Sequence, residues 1–284
     1  MTEYLARGTP DFTASETVAA FDELPLWCAM AGLFLLEHLP LPRGAAVLDV
    51  GCGTGFPLLE LAQRLGRPAV VHGLDPWGSA LARARFKAGV IGVGNITLTR
   101  GDGAAMPYPA SRFDLIVSNL GINNFADPDA VIAECRRVLK PRGRLALTTN
   151  IEGHMAELYR MFNEVLADRG AREAQAALQR HVAHRGTIAS ISARLTRAGF
   201  RVVHAVERNF PMRFADGTAL FHHYFMRLGF LEGWRNVVTP DTEQEVFSAL
   251  EGKLNDRAAE RGELRLTVPL AYLEAEPAAE RAST

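Results

Sequence analysis

One stretch of the sequence, residues 45–55, limits what the chain can fold into. AAVLDV (45–50) is almost continuously apolar, as expected of a strand that is buried on both faces. GCGTG (51–55) follows with three glycines for a tight turn, and residues 57–66 have helical apolar spacing between a proline and a glycine. A buried strand, a glycine turn and a helix in this order are typical of a parallel α/β sheet.

The same alternation of strand and helix continues to about residue 150 and returns near the end of the sequence. Aliphatic runs predict further strands at 69–75, 95–102, 113–119, 144–149, 200–207 and 264–277. Helices are predicted between them, including one that Asp127 and Pro128 begin and one that Thr187 caps. The sequence therefore predicts an α/β fold with a doubly wound, mostly parallel, seven-stranded sheet.

Two insertions interrupt this pattern. A helix with Met155, Leu158 and Met161 on one face follows residue 150, and seven of the 23 aromatic residues fall within 210–234. We therefore expect six segments: an N-terminal helical cap (1–44), a sheet core (45–150), a helical lid (151–185), a further core helix and strand (186–208), an aromatic insert (209–262), and a last strand with a polar tail (263–284).

Composition and charge exclude several classes of partner. The net charge of −1 gives no long-range field that would attract nucleic acid or an anionic membrane. The most apolar run, 24–36, contains Pro25 and is shorter than the about 20 residues that span a bilayer. The three cysteines have neither disulfide nor metal-ligand spacing, so we expect no metal and a cytoplasmic location.

The glycine turn and an acid on the second strand predict a nucleotide-like cofactor. Glycines let the backbone approach a ligand that a Cβ atom would exclude. Asp75, 24 residues after Gly51, ends the second predicted strand, where a carboxylate can accept hydrogen bonds from the two hydroxyls of a ribose. Together these residues indicate an adenosine-type cofactor at the carboxyl edge of the sheet.

Asp49 discriminates between the two cofactor classes that use this layout. A dinucleotide brings its pyrophosphate against the glycine turn, where the carboxylate of Asp49 would repel it. The ammonium of S-adenosylmethionine would instead be attracted. The spacing GxGxG, rather than GxGxxG, also favours S-adenosylmethionine.

Four motifs occur together in one order: VLDVGCGTG (47–55), GLDP (73–76), GDGAAMPYPASRFDLIVSN (101–119) and DPDAVIAECRRVLKPRGRLALT (127–148). In these motifs the chain resembles class I S-adenosylmethionine-dependent methyltransferases. It is most similar to the small-molecule branch that includes ubiquinone- and menaquinone-type C-methyltransferases. The resemblance implies a Rossmann-like core at 45–150 that binds S-adenosylmethionine.

The resemblance also implies roles for individual residues. Gly51, Cys52 and Gly53 would face the methionine portion of the cofactor, and Asp75, followed by Pro76, would hold the ribose. Asp102, with the backbone of Gly103 and Ala104, would recognise the adenine. Asn119 would line the sulfonium end, and Trp27 would contact the sulfonium or cover the methionine tail.

The sequence departs from the family after the fourth strand. Many members carry a His pair there, whereas this chain has Asn123 and Asn124, which can orient a substrate but cannot titrate near neutral pH. An aromatic-Asp pair that closes over the cofactor in the family has only a loose counterpart in Phe21-Asp22.

Candidates for the acceptor site come from the two insertions. A base must remove any acceptor proton, and imidazole titrates near working pH, so His154, His222 and His223 are the candidate catalytic residues. Tyr159 and Tyr224 are candidate orienting residues. Arg213 is a candidate anchor for a carboxylate or phosphate, and Phe221 a candidate pocket wall.

The sequence thus predicts a methyltransferase that acts on a small, partly apolar acceptor. The aromatic insert must be buried by forming the roof of a cavity or by contact with a second subunit, and we favour the roof over a homo-oligomer. Two alternatives remain open: an NAD-type oxidoreductase, which Asp49 disfavours, and a non-catalytic S-adenosylmethionine-binding protein on the same fold.

Overall fold

The computed structural model describes residues 3–5, 10–24 and 26–279, except for the side chains of Glu3, Leu26 and Trp27. The chain forms two compact units, each assembled from separate segments. The sheet unit comprises Phe12–Asn150, Gly186–Arg208 and Leu270–Thr284, and the helical unit comprises Met1–Asp11, Ile151–Arg185 and Asn209–Pro269.

A seven-stranded sheet of order β3-β2-β1-β4-β5-β7-β6 organises the chain. The strands are β1 (Ala46–Val50), β2 (Val70–Asp75), β3 (Ile96–Arg100), β4 (Phe113–Asn119), β5 (Leu139–Asn150), β6 (Phe200–Phe214) and β7 (Leu264–Pro277). β1 to β5 pair in parallel, whereas β7 runs antiparallel to β5. The predicted doubly wound, mostly parallel sheet is confirmed.

The order of the strands fixes where a ligand can bind. From β1 the chain builds outward through β2 and β3 on one side, and then returns to place β4 on the other side of β1. Loops that leave the carboxyl ends of β1 and β4 therefore diverge and open a crevice between them. The glycine turn at 51–55 leaves one of these two strand ends.

The helices of the sheet unit begin and end where local sequence signals place them. They are α1 (Ser15–Glu23), α2 (Leu26–His38), α3 (Leu58–Leu65), α4 (Gly78–Ile91), α5 (Pro128–Val138) and α8 (Ile188–Arg197). The Asp127 carboxylate accepts a hydrogen bond from the N–H of Ala130, and Thr187 and Ser190 form a reciprocal capping box. Both predicted helix starts are confirmed.

The helical unit contains α6 (Ala156–Asp168), α7 (Arg172–Ala183), α9 (Gly217–His222), α10 (Tyr224–Met226), α11 (Glu232–Arg235) and α12 (Pro240–Arg261). The predicted apolar face of α6 is buried, including Leu158, Met161 and Phe162. Sequence reasoning missed α7 because its sequence is mostly polar, rich in Arg and Gln, and only Leu178 of this helix is buried.

Two strand boundaries differ from the sequence expectation. β6 continues seven residues beyond the predicted end at 207, and its last residues belong to the helical unit. β5 begins at Leu139, because the chain becomes extended directly after α5, before the apolar run from which the strand was predicted. The aromatic insert does lie between β6 and β7, as expected.

The described helices were compared with the length and hydropathy that a membrane-spanning helix needs. No single helix among them is both long and apolar enough to cross a bilayer. Only α1 taken together with residues Cys28–His38, bent by 55°, meets the length and hydropathy criteria.

Candidate active site

Internal hydrogen bonds hold the glycine turn against β2. The N–H groups of Gly51 and Cys52 both donate to the Leu74 carbonyl, and the N–H of Gly53 donates to the Asp75 carboxylate at 2.8 Å. The Cys52 side chain is buried, and a Cβ atom at Gly73 would stand 2.7 Å from its sulfur. Cys52 therefore packs the turn against β2, and its thiol does not contribute to the ligand surface that the sequence predicted.

The turn presents open backbone at Gly53. This residue has a φ of +50°, and no heavy atom lies within 4 Å of the position that its Cβ atom would occupy. Gly51, with a φ of +78°, is faced by the Phe125 ring, 3.5 Å from its ideal Cβ position. The chain after β4 thus lies over the turn after β1, and a ligand can reach the backbone beside Gly53.

Asp75 combines burial with unused acceptor capacity. Its side chain accepts hydrogen bonds from the N–H groups of Gly53 and Trp77, one on each oxygen and each at 2.8 Å. Burial raises its pKa, and these two hydrogen bonds oppose the rise. Because a carboxylate oxygen has two lone pairs, one acceptor position remains on each oxygen. This arrangement fits the two neighbouring hydroxyls of a ribose.

Asp49 is a buried carboxyl group without compensation. Its exposed fraction is 0%, and neither oxygen accepts a hydrogen bond of normal geometry from the described residues. Burial, and then the negative charge of Asp75, raise the pKa of Asp49 to about 8, and the backbone N–H of Leu58 opposes this rise without cancelling it. A nearby ammonium group would supply the positive charge that this side chain lacks.

The turn after β3 carries the residues that the sequence predicted for adenine recognition. Asp102 is exposed, and its Oδ1 accepts a hydrogen bond from the N–H of Ala104 at 2.9 Å. Gly103 is buried, and a Cβ atom there would stand 3.2 Å from Val50. Pro76, at the neighbouring strand end, is exposed. Asp102 therefore retains free lone pairs at the surface of this turn.

The asparagines after β4 are fixed by the protein itself. Asn119 donates to the Cys28 carbonyl at 3.0 Å and accepts from the Thr148 hydroxyl at 2.7 Å. Asn123 donates to the Asn150 carbonyl, and the exposed Asn124 donates to the Leu120 carbonyl. These bonds tie α2, β4 and β5 together and fix the orientation of Asn119, whose amide keeps one N–H donor and one acceptor position.

An aromatic cluster beside Asp75 was not singled out from the sequence. The ring of Trp77 is contacted edge-on by Phe12 at 5.6 Å and by Phe21 at 5.3 Å, and its indole N–H donates to the Phe12 carbonyl. An aromatic residue directly after the ribose acid was the available signal. Phe21, expected from its loose family resemblance, lies in this cluster, whereas the Trp27 side chain is outside the described residues.

The neighbouring Asp22 has a structural role. Its carboxylate forms ion pairs with Arg83 and Lys87 of α4. Burial raises its pKa, but hydrogen bonds from Lys87 and Arg83 outweigh burial, and the net pKa is lowered. Asp22 thus attaches α1 to α4.

The geometry of the sheet unit defines a class of protein. A doubly wound sheet carries an open glycine turn, a buried acid that receives no hydrogen bond of normal geometry from the described residues, and a second acid with two free acceptor positions, all near the switch-point edge. A cofactor with an ammonium group and a ribose fits these residues, because an ammonium would stabilise the ionised form of Asp49, whereas the negative charge of a pyrophosphate would raise the pKa of this buried acid further. This combination is that of a class I S-adenosylmethionine-dependent methyltransferase.

Comparison with known proteins leads to the same class. The model of the methyltransferase domain family matches residues 41–190, more than half of the chain. Nocamycin O-methyltransferase of Saccharothrix syringae is 29% identical over 248 residues, which are 84% of this chain and 88% of that protein. Demethylmenaquinone methyltransferase of Shouchella clausii is 34% identical over 110 residues, 39% of this chain and 47% of that one.

A solved structure supports the fold. The crystal structure of an S-adenosylmethionine-dependent methyltransferase from Aquifex aeolicus aligns with a TM-score of 0.52 and 21% identity, covering 68% of this chain and 92% of that one. The chain belongs to the methyltransferase domain family, and it is an S-adenosylmethionine-dependent methyltransferase. Neither the NAD-type oxidoreductase nor the non-catalytic alternative receives support.

The helical unit holds most of the candidate acceptor residues, and His154 is the most buried of the three candidate histidines. It is 2% exposed, and its ring lies 5.7 Å from that of Phe230. Burial, followed by the positive charge of Arg185, holds the pKa of His154 well below its usual value. Tyr159, also buried, accepts a hydrogen bond from the indole of Trp234 at 3.3 Å.

The candidate residues of the aromatic insert lie in environments that differ from those of His154 and Tyr159. Phe221 is buried and stacks on Tyr4 at 4.9 Å, so it belongs to the core of the helical unit rather than to an open pocket wall. His222 is exposed, with Tyr4 edge-on to its ring. His223 is partly buried against Phe214, and burial lowers its pKa.

The structure contradicts the predicted role of Arg213 and shows where Tyr224 lies. The Arg213 side chain is 65% exposed and forms an ion pair with Glu263, so the predicted anchor already has a carboxylate partner at the surface. Tyr224 lines a cleft of about 570 Å³ in the helical unit, together with Arg235 and Glu243, which pair with each other. Sequence reasoning did not single out Arg185 or His181, which lie close to Tyr159, because no motif marks them.

Proposed function

We propose that this methyltransferase modifies a small, partly apolar acceptor that the helical unit binds. The observation that carries the proposal is a pair of buried polar side chains in that unit, His154 and Tyr159, which lie beside the aromatic rings of Phe230 and Trp234. A pocket of apolar walls with few polar groups is typical of small-molecule sites.

The sheet unit supplies the donor. When bound, S-adenosylmethionine provides an electrophilic methyl group on a sulfonium. Asp75 would hold the ribose hydroxyls, Asp49 would compensate the ammonium, and Asp102 with the backbone of Gly103 and Ala104 would recognise the adenine. The open backbone at Gly53 would allow the methionine portion to approach.

Residues of the helical unit would orient the acceptor. Tyr159 has a hydroxyl that is held by Trp234 and His181 and is therefore fixed in direction. His154 is neutral at pH 7, since burial and neighbouring positive charge disfavour its protonated form. A neutral imidazole can accept a hydrogen bond or a proton, and the surrounding aromatic rings exclude water.

We further propose oxygen as the atom that is methylated. The relative that matches over most of the chain is named an O-methyltransferase, whereas the demethylmenaquinone methyltransferase match covers about half of that protein. Carbon methylation is the second candidate, because the same demethylmenaquinone relatives match the motifs of the sheet unit.

Transfer of a labelled methyl group tests the proposal. The protein is incubated with S-adenosylmethionine labelled in the methyl group and with a panel of small hydroxy, carboxy and quinol compounds, and mass spectrometry locates the added methyl. Asp75→Asn should abolish transfer at low cofactor concentration. Asp129→Asn, an exposed carboxylate of α5, is the matched control and should leave transfer unchanged. Transfer to a macromolecule but to no small compound would contradict the proposal.

Three further expectations remain predictions. The cytoplasmic location follows from the unpaired cysteines, and the absence of a nucleic-acid partner follows from the near-zero net charge. Phe221 and Trp234 are already buried in the core of the helical unit, so these two rings need no second subunit to cover them, and the monomer remains our expectation. Gel filtration with light scattering tests the last of these.

A further inference from the structure

The helical unit contains a group of basic and polar side chains, which we term the basic cluster: His154, Tyr159, His181 and Arg185. The Tyr159 hydroxyl lies 3.3 Å from His181 Nε2, and Arg185 interacts with the same hydroxyl. Arg185 also acts on both histidines, since its charge lowers the pKa of each. All four side chains therefore surround one small volume.

Arg185 is the member of the basic cluster whose bonding is incomplete. Its Nε and Nη1 atoms are buried, and within the described part of the chain neither has a hydrogen-bond acceptor. None of the described ion pairs includes this residue. A guanidinium cannot lose its proton at physiological pH, so it must remain charged there. Two buried charged donors without an acceptor are costly and require an explanation.

The charge of the basic cluster is likewise uncompensated. Burial and the charge of Arg185 lower the pKa of His181 to about 4 and that of His154 well below its usual value, so both imidazoles are neutral at pH 7. The cluster thus carries one positive charge, that of Arg185, and Arg185 forms no ion pair with a carboxylate among the described residues. A buried cation without a counterion destabilises the ligand-free protein.

The basic cluster is bordered by aromatic rings and by a glycine. Aromatic rings form one side, with Phe230 stacked on Trp234 at 5.9 Å. Gly233 lies beside His181, and a Cβ atom there would stand 2.9 Å from the imidazole Cε1. The absence of a side chain at Gly233 therefore allows His181 to turn toward Tyr159.

We infer that the basic cluster binds an oxyanion of the methyl acceptor, a carboxylate or a comparably acidic hydroxyl, through Arg185. An oxyanion supplies both the acceptor atoms and the negative charge that Arg185 lacks, whereas a neutral or cationic group supplies only one or neither. The inference rests on the proposed function, because it assigns this oxyanion to the acceptor. It deepens that function by restricting the acceptor to acidic compounds.

Binding of benzoate, compared with its neutral isostere benzamide, tests the inference without methyl transfer. Affinities are measured by calorimetry at constant ionic strength and pH 7 for the wild type, Arg185→Gln, Arg185→Lys and Arg180→Gln. Arg180 is an exposed residue near the end of α7 and serves as the matched control. The wild type and Arg180→Gln should prefer benzoate by about tenfold or more, the effect of hydrogen bonds to a charged group.

Arg185→Gln should lose the preference for benzoate, and Arg185→Lys should retain part of it. Arg185→Gln should also melt at a higher temperature than the ligand-free wild type, because the buried charge is removed; a purely structural arginine would lower the melting temperature. Equal affinity of the wild type for benzoate and benzamide, or a preference that survives in Arg185→Gln, would overturn the inference. The binding experiment contains no S-adenosylmethionine and involves no methyl transfer. It can therefore contradict this inference while the methyl-transfer experiment supports the proposed function, and the reverse is also possible.

Discussion

At the residue scale, the two acids of the glycine-turn region have similar sequence contexts but different environments. Asp75 ends β2 and receives two backbone hydrogen bonds, whereas Asp49 lies inside β1 and receives none of normal geometry from the described residues. Each environment fits one charge state and one ligand group. Asp75 is arranged to accept hydrogen bonds from hydroxyl groups. The pKa of Asp49 would fall when a positive charge binds nearby.

Cofactor binding should therefore release a proton from Asp49. Its pKa is raised to about 8 without ligand, and a nearby ammonium lowers it, so affinity should rise with pH between about 6 and 8, by up to about tenfold per pH unit. Calorimetry in buffers of different ionisation enthalpy measures the released proton. Asp49→Asn should release none, and proton release unchanged in this variant would assign it to another group.

The same raised pKa predicts an effect on stability. Between about pH 4 and 8, folded Asp49 holds a proton that the unfolded chain has lost, so the free energy of unfolding should fall as pH rises across this range. Asp49→Asn removes this dependence and should raise the melting temperature of the ligand-free protein at pH 7.5 by a few degrees, at about 2 to 4 °C per kcal/mol. Thermal denaturation at pH 5 and 7.5 measures both effects.

Asp75→Ala should weaken binding of S-adenosylmethionine by about 1.5 to 3 kcal/mol, because it removes hydrogen bonds to a charged acceptor. It also removes the bond that holds Gly53 in the glycine turn. Calorimetry gives the affinity and circular dichroism checks the fold. An unchanged dissociation constant in a folded variant would show that Asp75 only stabilises the turn.

At the scale of elements, ion pairs rather than apolar packing attach α1 to the sheet unit. Asp22, 8% exposed in its side chain, pairs with Arg83 and Lys87 of α4. α1 has only one buried residue, Val18, so it has little apolar surface to hold it in place. Helix α1, which also carries Phe21 of the aromatic cluster beside Asp75, thus depends on one carboxylate.

Asp22→Ala should therefore loosen α1 selectively. Loss of two charge-assisted hydrogen bonds is expected to cost about 1 to 3 kcal/mol, and hydrogen exchange should increase in α1 more than in α3 or α5. Because the pKa of Asp22 is lowered from 3.8, its contribution is present above that pH and is lost as pH falls through the folded value. Glu23→Ala, a 70% exposed neighbour that also approaches Arg83, is the control and should change little.

At the scale of the whole molecule, donor and acceptor functions are assigned to different segments of the chain. The motif residues for the cofactor all belong to the sheet unit, and the basic cluster belongs to the helical unit. Substitutions in one unit should therefore affect one ligand far more than the other.

Tyr159→Phe should lower turnover or acceptor affinity while S-adenosylmethionine affinity stays within about threefold of wild type, under 1 kcal/mol. The variant loses the hydroxyl that Trp234 and His181 hold, but it retains the aromatic ring and its packing. Steady-state kinetics and cofactor calorimetry measure the two affinities separately. A parallel loss of both would show that Tyr159 also serves the cofactor site.

The sequence by itself determined the sheet and the position of its ligand edge, because these depend on local signals. The apolar strand at 45–50, the glycine turn and the Asp127-Pro128 cap all act through neighbouring residues, and each is where the pattern predicted it. The roles of Asp49 and Asp75 could also be proposed, since their places at strand ends fix their neighbourhood.

Only the tertiary structure decided the environment of the side chains in the insertions. Arg185 and Arg213 are alike in sequence terms, yet Arg213 pairs with Glu263 at the surface, while Arg185 lies partly buried beside Tyr159 and pairs with no carboxylate among the described residues. Helix α7 was missed because it is mostly polar and buries only Leu178. The charge balance of a buried group depends on partners that are distant in the chain, and no local pattern in the sequence records those contacts.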